Sequence, residues 1–100
     1  STLLDAVAEH PSWAKGHLML GLSYYENGDN TSAIYYLKKA QLLDPSDGYS
    51  LCYLGVISYD RGSYKAAQEY LKRAGKAAKK DKYLTELIET YQECVAREAA

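Results

Sequence analysis

The chain has 100 residues, 47% of them hydrophobic and 25% charged, with 12 Lys or Arg against 13 Asp or Glu and a formal net charge of −1. That composition describes a single ordinary globular domain, able to bury roughly two-thirds of its unfolded surface without metal or disulfide staples. Near-cancelling charge argues against a general affinity for nucleic acid or anionic membranes, and no apolar run approaches the ~20 residues of a membrane-spanning helix.

The chain opens Ser1-Thr2-Leu3, with neither an initiator Met nor a basic and apolar leader, which leaves a removed targeting segment and a boundary inside a longer chain both open. Residues 1–13 read as the second half of a repeat. A shift of 34 residues aligns Leu3 with Leu37, Ala6 with Ala40, Pro11 with Pro45 and Ser12 with Ser46. The same shift then aligns Leu20 with Leu54, Gly21 with Gly55, Tyr25 with Tyr59, Gly28 with Gly62, Ala33 with Ala67, Leu37 with Leu71 and Ala40 with Ala74. Such a period marks a solenoid, in which one unit cannot bury its own apolar face and relies on its neighbours.

Each unit divides into two helices. The first helices are expected over 13–27 and 48–61, stopped by Gly28 and Gly62 in the left-handed conformation that satisfies the last carbonyls. Asp29 and Ser63 are placed to cap second helices over 30–43 and 64–78. Pro11 and Pro45 close the second helices before them, and Ser12, Ser46 or Asp47, and Asp81 are the caps expected for the helices that follow. Lys79 stands where a third proline would fall, which allows the helix from 64 to run on past 78 to about 80. Segment 82–98 spaces Leu84, Leu87, Ile88, Tyr91 and Val95 for one buried face and puts charged residues on the others, as a terminal capping helix would. Gly21 and Gly55 sit mid-helix, where glycine costs about 1 kcal/mol relative to alanine, so something must need the missing side chain. We read Gly21, Gly55, Ala33, Ala67, Ala40 and Ala74 as the strip where paired helices approach closely.

The units resemble the tetratricopeptide repeat, whose signature runs W-x2-L-G-x2-Y, A-x3-F, then P. The first reads His17-x2-Leu20-Gly21-x2-Tyr24, Ala33-x3-Leu37, Ala40 and Pro45; the second reads Leu51-x2-Leu54-Gly55-x2-Ser58, Ala67-x3-Leu71 and Ala74. Departures are His17 and Leu51 for tryptophan, Ser58 for tyrosine, leucine for phenylalanine, and Lys79 for proline. The resemblance implies an all-α fold, an α-solenoid of antiparallel helix pairs: a half repeat at 1–13, repeats at 14–47 and 48–81, and a capping helix at 82–100.

No set of residues reads as catalytic, and no cofactor or metal site is expected. Cys52 and Cys94 form no C-x-x-C pair, which fits reduced thiols in the cytoplasm. His10 and His17 straddle a helix junction, where a loop residue and a packed tryptophan substitute are the plainer readings than ligands. Cys52 has no histidine at an obviously partnered position. Glu86, Glu89 and Glu93 are spaced as a solvated face. Lys72, Arg73, Lys76, Lys79, Lys80 and Lys82 form a basic cluster, read as a solvated outer face or a docking patch for an acidic partner.

The likeness implies a concave groove lined by first helices. By position within the unit it consists of Lys15, Leu18, Leu22, Tyr25 and Glu26, then Tyr49, Cys52, Val56, Tyr59 and Asp60, continued by Tyr83, Glu86 and Thr90. A second apolar stripe on these helices, beside the Leu20 and Leu54 stripe, points independently to a second partner for that face. Eleven Tyr and no Phe fit rings that keep one edge wet. The function expected is a protein interaction module holding a peptide or helix through apolar and aromatic contacts, within a larger adaptor, scaffold or multisubunit protein. Positions that grip a terminal carboxylate in one branch of the family hold Leu18, Leu22, Tyr53, Tyr83 and Leu87, so no carboxylate clamp is expected. The alternative is a structural end segment of a longer solenoid that self-associates, with a homodimer through the N-terminal helix.

Overall fold

A computed structural model describes residues 2–99, which form six α-helices and no strand. In chain order these are α1 (Leu3–Glu9), α2 (Ala14–Glu26), α3 (Asn30–Leu43), α4 (Gly48–Asp60), α5 (Tyr64–Ala78) and α6 (Lys82–Ala99). Contacts gather them into two compact units, Ser1–Ser46 and Asp47–Ala100, divided at the repeat junction.

In the first unit, α2 pairs with α3 and is also met by α1. Gly28 turns the chain between α2 and α3 with φ of 82°, and the Asp29 carboxylate accepts from the Ser32 N–H to start α3. The mid-helix glycine has its reason here: a Cβ on Gly21 would stand 2.7 Å from Leu37 Cγ, so only glycine lets the helices close to this distance. Ala33, Leu37 and Ala40 are fully buried along the crossing. Two start signals differ from expectation. Ser12 does not cap α2, whose N-cap is Trp13 with no side-chain bond, whereas Thr2 and Asp5 form a reciprocal capping box on α1. α1 is poorly covered: Leu3 and Ala6 stay half-exposed, whereas Leu37 and Ala40, 34 residues on, are sealed, and Leu4 is 45% exposed.

In the second unit, α4 packs against both α5 and α6. A Cβ on Gly55 would meet Leu71 Cγ at 2.8 Å, repeating the first unit's close approach. Asp47 caps α4 through the N–H groups of Tyr49 and Ser50, and Gly62 turns the chain at φ of 78°. Ser63 holds the N-cap position of α5 without a side-chain bond. α5 ends at Ala78, the bound read from the sequence, and does not run on to 80: Lys79 takes φ of 51° and turns the chain where the family pattern has proline. Asp81 then accepts from the Leu84 N–H and starts α6, whose Leu84, Ile88 and Val95 are buried.

Candidate functional site

The expected groove residues divide between the units. On α2, core packing uses Leu20 and Gly21, which leaves Leu18, Leu22 and Tyr25 half-exposed and Lys15 exposed at helical spacing along another face. On α6, Tyr83 is 65% exposed, and Glu86 is also exposed.

The α4 members are placed differently. Cys52 and Val56 are buried, at 0% and 1% exposure, and cannot be contact residues for a peptide. The reason lies in the residues on the same face. Gly48 abuts Leu84, the Tyr49 hydroxyl donates to Asp81 at 2.7 Å, and the Tyr59 ring meets Tyr91 edge-on at 5.9 Å. That second apolar stripe of α4 therefore packs on the start and middle of α6. The inference that a helix apolar on two faces has two partners holds, but on α4 the second partner is the chain's own last helix. Tyr49 and Tyr59 remain half-exposed, each with a structural role: Tyr49 spends its proton on Asp81, and Tyr59 also packs against the Tyr64 ring.

Electrostatics follow the same geometry. Donation to Asp81, together with burial, pushes the Tyr49 phenol up to about 12, while the Leu84 N–H first and the Tyr49 hydroxyl second hold the Asp81 carboxyl below its ordinary value. Burial pushes the Cys52 thiol up to about 12, so it stays protonated and is a poor nucleophile. Cys94 is also a free thiol, half-buried on α6. Among the described residues, no three His, Cys, Asp or Glu side chains are grouped to hold a metal ion.

One arrangement in the first unit was not legible as a site. His17 is 5% exposed, and its Nε2 lies 2.9 Å from the Pro11 carbonyl. A carbonyl only accepts, so Nε2 carries the proton and Nδ1 is left as a buried acceptor without a hydrogen-bond partner. The imidazole stacks on Tyr36, which stacks on Tyr24 at 5.6 Å and takes Tyr35 edge-on. This column explains how histidine replaces the usual tryptophan: a flat ring is retained and its N–H ties α2 to the preceding turn. Trp13, Met19 and Tyr35 are exposed on the same unit, and only their lack of a place in the repeat pattern could have singled them out.

The tetratricopeptide repeat family model matches residues 2–48 and again 18–81. The chain belongs to the tetratricopeptide repeat family. No curated protein matches it at a significant level. Repeats of this family generally mediate protein–protein interaction, and the glycine and alanine crossings of α2 with α3 and of α4 with α5 are the packing that defines its helix pairs here. No helix of the described residues is long and apolar enough to cross a membrane.

Proposed function

We propose that this tetratricopeptide repeat chain is a protein interaction module that holds a peptide or helix of a partner against the first-helix face left open on α2. It acts within a larger adaptor, scaffold or multisubunit protein in a reducing, cytoplasmic setting. The observation that carries this reading is the second face of α2, where Leu18 and Leu22 keep apolar surface in reach of solvent after α3 has taken the other face. Tyr83 adds an exposed aromatic side chain on α6. Lys15 and Tyr25 accompany the two leucines on α2, Glu86 accompanies Tyr83 on α6, and Tyr49 and Tyr59 offer ring edges while serving the fold. Cys52 and Val56 have no part in it. With leucine and tyrosine at the positions that could grip a carboxylate, the partner is read through its side chains and backbone rather than its terminus.

The test is capture of a partner by the wild type, followed by binding of the purified partner to a Leu18→Ser/Leu22→Ser variant. Binding should fall at least about tenfold, as for loss of central apolar anchors, with helical circular dichroism unchanged. Amidating the partner's C-terminus should leave affinity nearly unaltered. Unchanged binding by the variant, or loss on amidation, sinks the groove reading.

A second reading rests on α1. Leu3, Leu4 and Ala6 present apolar surface that in the complete repeats is sealed, and a cavity of about 560 Å³ opens nearby between Ala6, His10, Ser12 and Trp13. Two copies meeting there would form a homodimer through the N-terminal helix. Sedimentation of the wild type against Leu4→Ser decides it: a concentration-dependent dimer lost in the variant supports the reading, and a wild-type monomer at millimolar concentration removes it.

A further inference from the structure

The cations are not spread evenly along the sequence. Residues 65–82 hold seven of them against two carboxylates, which leaves five cations against eleven carboxylates for the rest of the chain. They are densest at the turn from α5 to α6, where Lys76, Lys79, Lys80 and Lys82 fall within seven residues and all four are exposed.

Most of this turn works against the fold. The Asp81 N–H donates to the Ala78 carbonyl at 3.0 Å and closes a turn with Lys79 and Lys80 at its centre. Lys79 has φ of 51° and ψ of −113°, the first central position of a type II′ turn, where glycine dominates because a Cβ is strained there. The chain does use glycine at its other two positive-φ turns, Gly28 and Gly62. Lys82 is the first residue of α6, at the positive end of an 18-residue helix whose first turn holds no acidic residue, and a cation is unfavourable at that end. Lys76, in the last turn of α5, is the one of the four that suits its helix. Asp81 is the only carboxylate in the stretch, and its two oxygens already accept from the Tyr49 hydroxyl and the Leu84 N–H. Among the described residues, none of the four ammonium groups has an ion-pair or hydrogen-bond partner. A strained lysine, a cation at the wrong helix end and crowded like charges are thus departures from local rules that nothing within the chain offsets, the pattern expected of a site kept for an outside ligand.

We propose that this lysine turn docks a short acidic segment of a partner protein, about four to six residues long. At ~3.3 Å per residue such a segment brings as many carboxylates as the turn has ammonium groups. From the turn, α6 runs on into exposed Glu86, Glu89 and Glu93, which repel a polyanion or an anionic membrane that extends past the lysines. Tyr83 is the only exposed aromatic of the second unit among the described residues, so bases have little to stack on. The apolar stripe of α5 is buried and has nothing to offer a lipid surface. Exposed charges make the contact weak and salt-sensitive.

Fluorescence anisotropy of labelled hexaglutamate with the full chain is the test. The peptide should bind at about 0.02 M ionic strength, with affinity about tenfold or more lower at about 0.5 M. Lys79→Gly/Lys82→Gln should weaken binding about fivefold or more and at the same time raise the melting temperature, because it removes the strained side chain and the misplaced cation. Lys38→Gln/Lys65→Gln removes the same charge from exposed positions outside the turn and should bind as the wild type does. So should Leu18→Ser/Leu22→Ser, which separates this site from the groove. No anisotropy change up to ~1 mM chain at low salt overturns the proposal, as does equal weakening by the two lysine pairs. A lower melting temperature for Lys79→Gly/Lys82→Gln would show lysines that serve the fold, and overturns it. Tighter binding of hexauridylate or of phosphatidylserine vesicles than of hexaglutamate, lost in the same variant, gives the turn to RNA or to membrane and overturns it too.

Discussion

Single residues show how far one atom decides the packing. Gly55 and Gly75 both sit inside helices, where alanine is intrinsically favoured by about 1 kcal/mol. A Cβ at Gly55 would overlap Leu71 Cγ, while a Cβ at Gly75 meets nothing within 4 Å. Gly55→Ala should cost about 1–3 kcal/mol through overpacking, and Gly75→Ala should stabilise by about 0.5–1 kcal/mol. Melting temperatures moving in the same direction for both would refute the assigned crossing. Tyr49 offers a second case, because its hydroxyl donates to the carboxylate that also caps α6. Its folded pKa is raised, so the stability it contributes is complete below pH ~10, the unfolded value, and is lost as pH climbs through about 12. Asp81 runs the other way: its folded pKa is depressed, so its contribution is present above the unfolded value near 3.8 and fades as pH falls through the lower folded one. Tyr49→Phe should cost about 1 kcal/mol at neutral pH and flatten the alkaline limb of the stability profile. An alkaline limb identical to wild type would mean that another tyrosine sets it.

Elements were legible where a local signal and the repeat agreed. Gly28, Gly62, Asp29 and Asp47 placed helix ends because each makes its own turn or cap, and Gly21 and Gly55 placed the crossings because nothing else excuses a mid-helix glycine. The candidate site was read less well, and α4 shows why. From Gly48 to Tyr59 it carries no charge, so two apolar faces were plain, but periodicity does not say whether a face meets a partner or another part of the same chain. Contacts across the chain reveal α6 as the occupant: Tyr49 reaches Asp81 and Tyr59 reaches Tyr91, 32 residues apart in each case, and Gly48 abuts Leu84. Val56→Ala tests this directly. Loss of two buried methyl groups should cost about 1.5–3 kcal/mol, whereas Tyr83→Ala, on the exposed side of α6, should stay within about 0.5 kcal/mol. A silent Val56→Ala would return that face of α4 to the groove.

At the scale of the whole molecule the apolar core is unequally shared. Of the seventeen buried hydrophobic residues among those described, Val7, Leu20, Ala33, Leu37 and Ala40 belong to the first unit, and the other twelve, from Leu51 to Val95, belong to the second. Three of the first unit's five are alanine or valine with little side chain to bury, while the second unit includes Leu51, Leu54, Ile57, Leu71, Leu84 and Ile88. Backbone ordering costs about 1–2 kcal/mol per residue in either unit, so the unit with less apolar burial has less to set against that cost. Repeat arrays of this kind open locally, and amide exchange reports each opening free energy separately. In the intact chain the amides of α4, α5 and the Leu84–Val95 stretch of α6 should therefore exchange slowest, α2 and α3 faster, and α1 fastest of all, because its seven residues bury only Val7. The ordering should persist at high ionic strength, which loosens exposed charge pairs and leaves apolar burial in place. Equal protection across all six helices would show that the chain opens only as one unit and that the uneven core has no consequence for its dynamics.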